Sequence, residues 1–210
     1  MIASGSPLMT VTADRSAPHG IATTKWDDEG GAPADFPLVR EGILVDFQTS
    51  REQAAWIKPW YAQQGRAPLS HGCANSSSAL ALTAQHTPNL TLHPAASATS
   101  LEELIAGTKA GVFIDDATIE TDFQGKNGTM RGSVREIVNG ALGAYLSNAV
   151  PAFSTLELWK NLSALGGAGS AEVWGGEDLK GEPSDATEFS VSAVPLKISG
   201  VVVVDGARKA

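Results

Sequence analysis

Apolar and polar positions alternate over much of this chain, with a helical period only in short stretches. Met9, Val11 and Ala13 share one face of a Leu8–Asp14 segment, the two-residue period of a half-buried strand. Ile21–Trp26, Phe36–Val39, Ile43–Phe47 and Asn89–His93 read as further strands, with a turn at Glu41-Gly42 making a hairpin of the second and third. Gly111–Phe123 is a longer strand, with Ile119, Thr121 and Phe123 opposite Glu120 and Asp122. Asn139-Gly140, flanked by apolar-rich runs, is the strongest hairpin signal, because both residues tolerate positive φ. Phe189, Val191 and Ala193 alternate in one phase and Val194, Leu196 and Ile198 in the other, which predicts a bulge near Pro195. Val201–Val204 reads as a buried terminal strand.

Helices are predicted where capping boxes precede apolar stripes: at Ser50–Gln53, Ser100–Glu103 and Ser154–Glu157. Pro59 ends or kinks the first helix, and Gly107 ends the second. The third carries Leu156, Trp159, Leu162 and Leu165 up to Gly166-Gly167. Between Tyr61 and Pro88 no period is evident, apart from an Ala/Leu-rich stretch at Ser78–Ala84 that could form a helix. An irregular segment of that length in a compact domain is usually functional or mobile. The pattern predicts an α+β fold, mainly antiparallel β-sheet, barrel-like or two-layer, with about three short helices.

Composition narrows the function classes. The 210 residues suffice for a single domain, residues 1–210, and 42% are apolar. Fifteen basic against 23 acidic residues give a net charge of −8, which disfavours a phosphate backbone or an anionic membrane surface as partner. Cys73 is the sole cysteine, so no intrachain disulfide forms; with no apparent signal sequence, this suits a reducing cytoplasm.

Local chemistry is sparse. His71-Gly72-Cys73 pairs an imidazole with a thiol, and His86 would have to join them to make a zinc site. The simpler reading, which we adopt, is a surface histidine and a small, partly buried cysteine. His19 reads as a turn residue, and Asp27-Asp28-Glu29 as an acidic turn shaped by Gly30-Gly31. Ser76–Ser78 lack a nucleophile elbow, and Gly166–Gly169 lack the Lys-Ser/Thr of a phosphate loop. A self-contained hydrolase built on His71, Cys73 and these serines has little support. Of the five tryptophans, Trp159 belongs to a core stripe, while Trp56 and Trp60 border the irregular segment as groove residues.

A set of short motifs in order along the chain resembles the C-terminal half of the TldD/PmbA metallopeptidase family. These are Gly5-Ser6-Pro7-Leu8, Asp27-Asp28-Glu29-Gly30, Arg40–Leu44, Asn89–Leu92, Gly111–Ile114, Ala152-Phe153-Ser154 and Val194–Ile198. The resemblance implies a β-rich C-terminal domain of a zinc-dependent peptidase that processes small or unfolded peptides within a dimer. It also implies a preceding helix with His-Glu-x-x-x-His and a zinc-binding cysteine near Lys180-Gly181-Glu182. This chain has neither, and resembles a fragment, a split gene product or a reduced homologue lacking the metal-helix domain. Zinc is therefore expected in the family but not on this chain alone, which is expected to be inactive by itself. We assign no catalytic or metal-binding residue, and take Trp56, Trp60, His71 and Asn89 as candidate substrate-binding residues. The expected partners are a peptide and a second subunit, in a homodimer or a heterodimer with a homologue. The alternative is a non-catalytic binding or scaffolding subunit that pairs with an active homologue.

Overall fold

The computed structural model describes residues 2–207. Its larger sheet has seven strands in the order Ile2–Ala3, Ile43–Leu44, Asp35–Arg40, Val11–Asp14, Asn89–Leu92, Asp185–Ala193 and Glu172–Lys180. All neighbours are antiparallel except Asn89–Leu92 and Asp185–Ala193, which run parallel. A five-stranded sheet is built around Asn127–Val138. One edge of that strand pairs with Ala110–Thr121; the other pairs with Ala149–Ser154 and Ala141–Tyr145. Val202–Asp205 extends this sheet beyond Ala149–Ser154. Among the described residues, four short helices complete an α+β fold dominated by antiparallel sheet, and the strands form no closed barrel. No helix among the described residues is long and apolar enough to cross a membrane.

The main core packs beside the larger sheet. Met9, Val39 and Leu92 meet Leu162, Leu165 and Val194, with Trp159 against them. Phe36 and Val39 are both buried although three residues apart. A register shift makes this possible, because Val39 faces Val11 while Pro37 already faces Thr12. The shift accompanies an incomplete edge: Ile43–Leu44 pairs only with Val39 and Arg40, so residues 35–37 have no strand partner on that side among the described residues. Pro37, with no N–H to donate, is tolerated at such an edge.

Several expectations change. Ile21–Trp26 is a series of turns rather than a strand, because local bonds such as Thr24 N–H to the Arg15 carbonyl use its backbone. The first helical segment is two helices, Arg51–Trp56 and Lys58–Gln63, with Pro59 in the first turn of the second. Ser78–Ala84 forms no helix. The third predicted helix stops at Lys160, and Leu162–Leu165 continues as a strand against Leu196–Ile198. Tertiary pairing here overrides the helical period. Ser154 makes no side-chain cap, whereas Ser100 and Glu103 form a full capping box. The phase switch near Pro195 is a change of sheet rather than a bulge. Val202–Asp205 is an exposed edge strand rather than a buried one, with Val202 61% exposed.

Gly42 shows how tightly the hairpin turn packs. Its φ is +76°, and an added Cβ would lie 2.4 Å from the Gly5 carbonyl oxygen. Gly42→Ala is therefore expected to cost about 2 kcal/mol or more, read from urea unfolding; an unchanged midpoint would show that the turn relaxes freely.

Candidate functional site

Asp46 follows the Ile43–Leu44 strand and is buried, so its charge must be met inside the protein. Arg66 Nη2 approaches its Oδ2 at 2.5 Å, and the Tyr61 hydroxyl donates to its Oδ1 at 2.9 Å. The Phe47 N–H donates to Oδ1 at 2.9 Å as well. His71 Nε2 stands 3.1 Å from Oδ2, close enough for a charge contact but out of line for a hydrogen bond. Burial alone would raise the Asp46 pKa; His71, Arg66 and the Phe47 amide reverse this and hold it down to about 2. Burial and the neighbouring carboxylate push the Tyr61 phenol up to about 12, so it remains a donor.

The sequence places these groups together through the segment after the second helix. Thr49 accepts from the His71 and Cys73 amides, and its hydroxyl donates to the Leu69 carbonyl. His71 lies face to face on Phe36, with ring centroids 3.7 Å apart and planes within 12°. Trp60 meets Tyr61 and Phe47 edge-on and so braces the wall from behind. Phe36, Arg40, Asp46, Arg66, Leu69 and His71 then line a half-open cavity of about 440 Å³. It adjoins the unpaired 35–37 strand edge and offers an apolar floor beside mixed charges. This arrangement can hold an extended polar chain with one side chain in the pocket.

A larger hollow of about 610 Å³ lies on the second sheet near Glu120, Asp122 and Phe153. It is wide open, and Asp122 is already occupied by the turn amides of Gln124, Lys126 and Asn127. The Asp46–His71 cavity is chemically the richer of the two.

The candidate residues part company here. His71 is buried, not a surface histidine, because its ring is enclosed between Phe36 and Asp46. Trp60 stands behind the pocket wall, and Trp56 is 66% exposed on the neighbouring helix. Asn89 lies elsewhere: its side chain accepts from the Ala22 and Ser190 amides and donates to the Asp14 carbonyl and Thr23 hydroxyl, tying strands to a loop. Asp46, Tyr61 and Arg66 were not singled out from sequence. No motif joins them, and only the Asp in an otherwise apolar strand run offered a signal.

The residues present do not fit the zinc implied by resemblance. Among the described residues, no three His, Cys, Asp or Glu side chains are grouped to hold a metal. Cys73 is fully buried, burial foremost pushes its thiol up to about 12, and no second and third metal-ligating side chain is grouped with it. Near Lys180, an ammonium stands where a ligand would be needed. Asp27 shapes its acidic turn by accepting from the Glu29, Gly31 and Ala74 amides.

A family model described as the PmbA/TldA metallopeptidase C-terminal domain matches residues 3–193. Three solved structures share the fold. A putative modulator of a DNA gyrase from Thermotoga maritima is 17% identical with a TM-score of 0.70, over 96% of this chain and 40% of its own. A putative modulator of DNA gyrase from Bacteroides thetaiotaomicron is 17% identical with a TM-score of 0.58, over 92% and 38%. TldE from Thermococcus kodakarensis is 16% identical with a TM-score of 0.60, over 92% and 40%. The chain thus spans about 40% of the length of these solved chains. No curated protein gives a match.

The Asp46 carboxylate makes stability pH-dependent. Its folded pKa of about 2 lies below the unfolded value of about 3.9, so its stabilisation is present above pH ~4 and is lost as pH falls toward ~2. The shift corresponds to about 2–3 kcal/mol. Asp46→Asn should flatten the stability profile across that window in denaturant titrations; an unaltered acid limb would place the loss elsewhere.

Proposed function

Because the chain belongs to the PmbA/TldD metallopeptidase family, as its C-terminal domain, we propose that it is the peptide-holding part of a zinc-dependent peptidase that processes small or unfolded peptides. Residues 1–210 act as one domain, in the cytoplasm, within a homodimer or a heterodimer with a TldD/PmbA homologue. Zinc and its helical His-Glu-x-x-x-His ligands belong to the partner region, while this domain supplies walls and strand edge. The observation that carries the reading is the Asp46–His71–Arg66 cavity beside the unpaired 35–37 edge. A peptide added along that edge gains main-chain hydrogen bonds, and the cavity receives one of its side chains. His71 and Trp60 then serve binding directly and through the wall, Trp56 extends the surface, and Asn89 holds the frame.

A second reading is favoured by the ammonium of Lys180, which stands where the family resemblance expects a cysteine. In it the chain is a non-catalytic binding subunit of an active homologue. Co-purification with a homologue bearing His-Glu-x-x-x-His, and peptidase activity that survives Lys180→Ala in the pair, would favour it.

The binding claim is tested by fluorescence anisotropy with a labelled unstructured peptide. Saturable binding in the roughly micromolar range is expected, weakened about tenfold by His71→Ala or Arg66→Ala. No binding by the native chain, or equal binding by both variants, would remove the cavity from the account.

A further inference from the structure

The larger sheet ends in the hairpin of Glu172–Lys180 and Asp185–Ala193, whose strands pair over nine residues without a register shift. The outer side of Glu172–Lys180 has no strand partner among the described residues. Its main-chain N–H and C=O groups on that side form a template for another strand. Three strands separate this edge from Asp35–Arg40 and the cavity. The other long edge, Ala110–Thr121, is interrupted by a register shift between Asp115 and Thr118, whereas Glu172–Lys180 is regular throughout.

The side chains of this strand divide by alternation. Val173 and Leu179 share one face and are 69% and 62% exposed, so two large apolar groups stand in water near its two ends. Glu172 and Lys180 share the opposite face. The Glu172 carboxylate has no partner among the described residues. The Lys180 ammonium donates to the Gln85 carbonyl at 2.6 Å and to Gln85 Oε1 at 2.7 Å. Its third N–H is left near Asp178, 3.4 Å away, whose Oδ2 already accepts the Thr87 N–H and hydroxyl.

The order of these residues is complementary to itself. Two antiparallel copies that meet at Gly176 set each Glu172 opposite Lys180 of the other copy and each Val173 opposite Leu179. Each Glu177 then faces Gly175, which has no side chain to oppose it. Directly opposed pairs of unlike charge, and of apolar groups, stabilise a strand pair. A two-fold axis repeats each of them. Neighbouring two-fold registers lose this match: meeting at Gly175 sets Glu172 against Asp178, and meeting at Glu177 sets two carboxylates against each other.

We propose that two copies of the chain pair through their Glu172–Lys180 edges, antiparallel about a two-fold axis at Gly176. The pairing joins the two larger sheets into one and covers Val173 and Leu179 of both copies. It gives the dimer of the proposed function a surface and a second copy as partner. It does not depend on peptide binding at the cavity, so either reading can fail alone.

Sedimentation velocity and cysteine cross-linking test this. The native chain of 21.7 kDa should sediment as a reversible dimer. Val173→Glu and Leu179→Lys, both at exposed positions, should each weaken association about tenfold. Mixed in equal amounts, the two variants should associate again, because one end of the interface then pairs opposite charges and the other keeps its native pair. Under mild oxidation, a Val173→Cys chain mixed with a Leu179→Cys chain should form a disulfide-linked dimer. Val173→Cys alone should not, since its two copies lie six residues, about 20 Å, apart along the strands. Buried Cys73 stays out of the reaction. A native monomer, a dimer indifferent to Val173→Glu and Leu179→Lys, or cross-linking by Val173→Cys alone would overturn the proposal.

Discussion

A carboxylate withdrawn from water needs charge and donors, and Asp46, 2% exposed, finds four neighbours that supply them. Arg66 and His71 come from one irregular segment, Tyr61 from the helix before it, and the Phe47 amide from the adjoining residue. Removing the carboxylate would leave the buried Tyr61 hydroxyl with only its longer bond to the Leu69 carbonyl, while Arg66 keeps the Val45 carbonyl and water. The cavity keeps its shape because Arg66, Tyr61 and the Phe47 amide hold the Asp46 carboxylate from three directions. Its outer side, facing the unpaired edge of Asp35–Arg40, is where the chain has capacity left over.

The same logic fixes the long irregular segment. Residues 66–88 contain little regular structure, yet their backbone is anchored at intervals. Thr49 accepts from two of their amides, and the His86 N–H donates to the Cys73 carbonyl. Buried Arg15 donates to the Gly72 and Ala74 carbonyls as well as to Ala22. Side chains substitute for a ladder, which lets a loop lie against the sheet with its polar groups paired. One end of that loop builds the Asp46 cavity, and the other receives the hairpin end through Gln85, His86 and Thr87.

The regular parts of this architecture were legible in the sequence. Period-two stretches such as Leu8–Asp14 and Asn89–His93, the Asn139-Gly140 turn and the Ser100 capping box each carry their cause locally. What stayed hidden depends on distant partners. Leu162–Leu165 follows a helical period but is claimed by Leu196–Ile198 across the fold. Val202–Val204 is apolar enough to be buried, yet lies at a bare edge, because burial depends on what packs above a strand rather than on the strand. His71 was visible as chemistry but not as a buried group. Asp46 and Arg66, 20 residues apart, meet only because two helices and a loop return the chain to the same place. Asn89, picked from a family-like stretch, is occupied as a joint between strands and loop.

The central claim is that an extended peptide lies along the 35–37 edge with a side chain in the Asp46–His71 cavity. Mapping amide chemical shifts of the isotopically labelled chain during titration with an unstructured peptide tests it most directly. The account predicts saturable shifts concentrated at residues 34–40, 45–47 and 66–71, with the Val202–Asp205 edge unmoved. Shifts confined to the second sheet, with the Asp46 cavity silent, would contradict it.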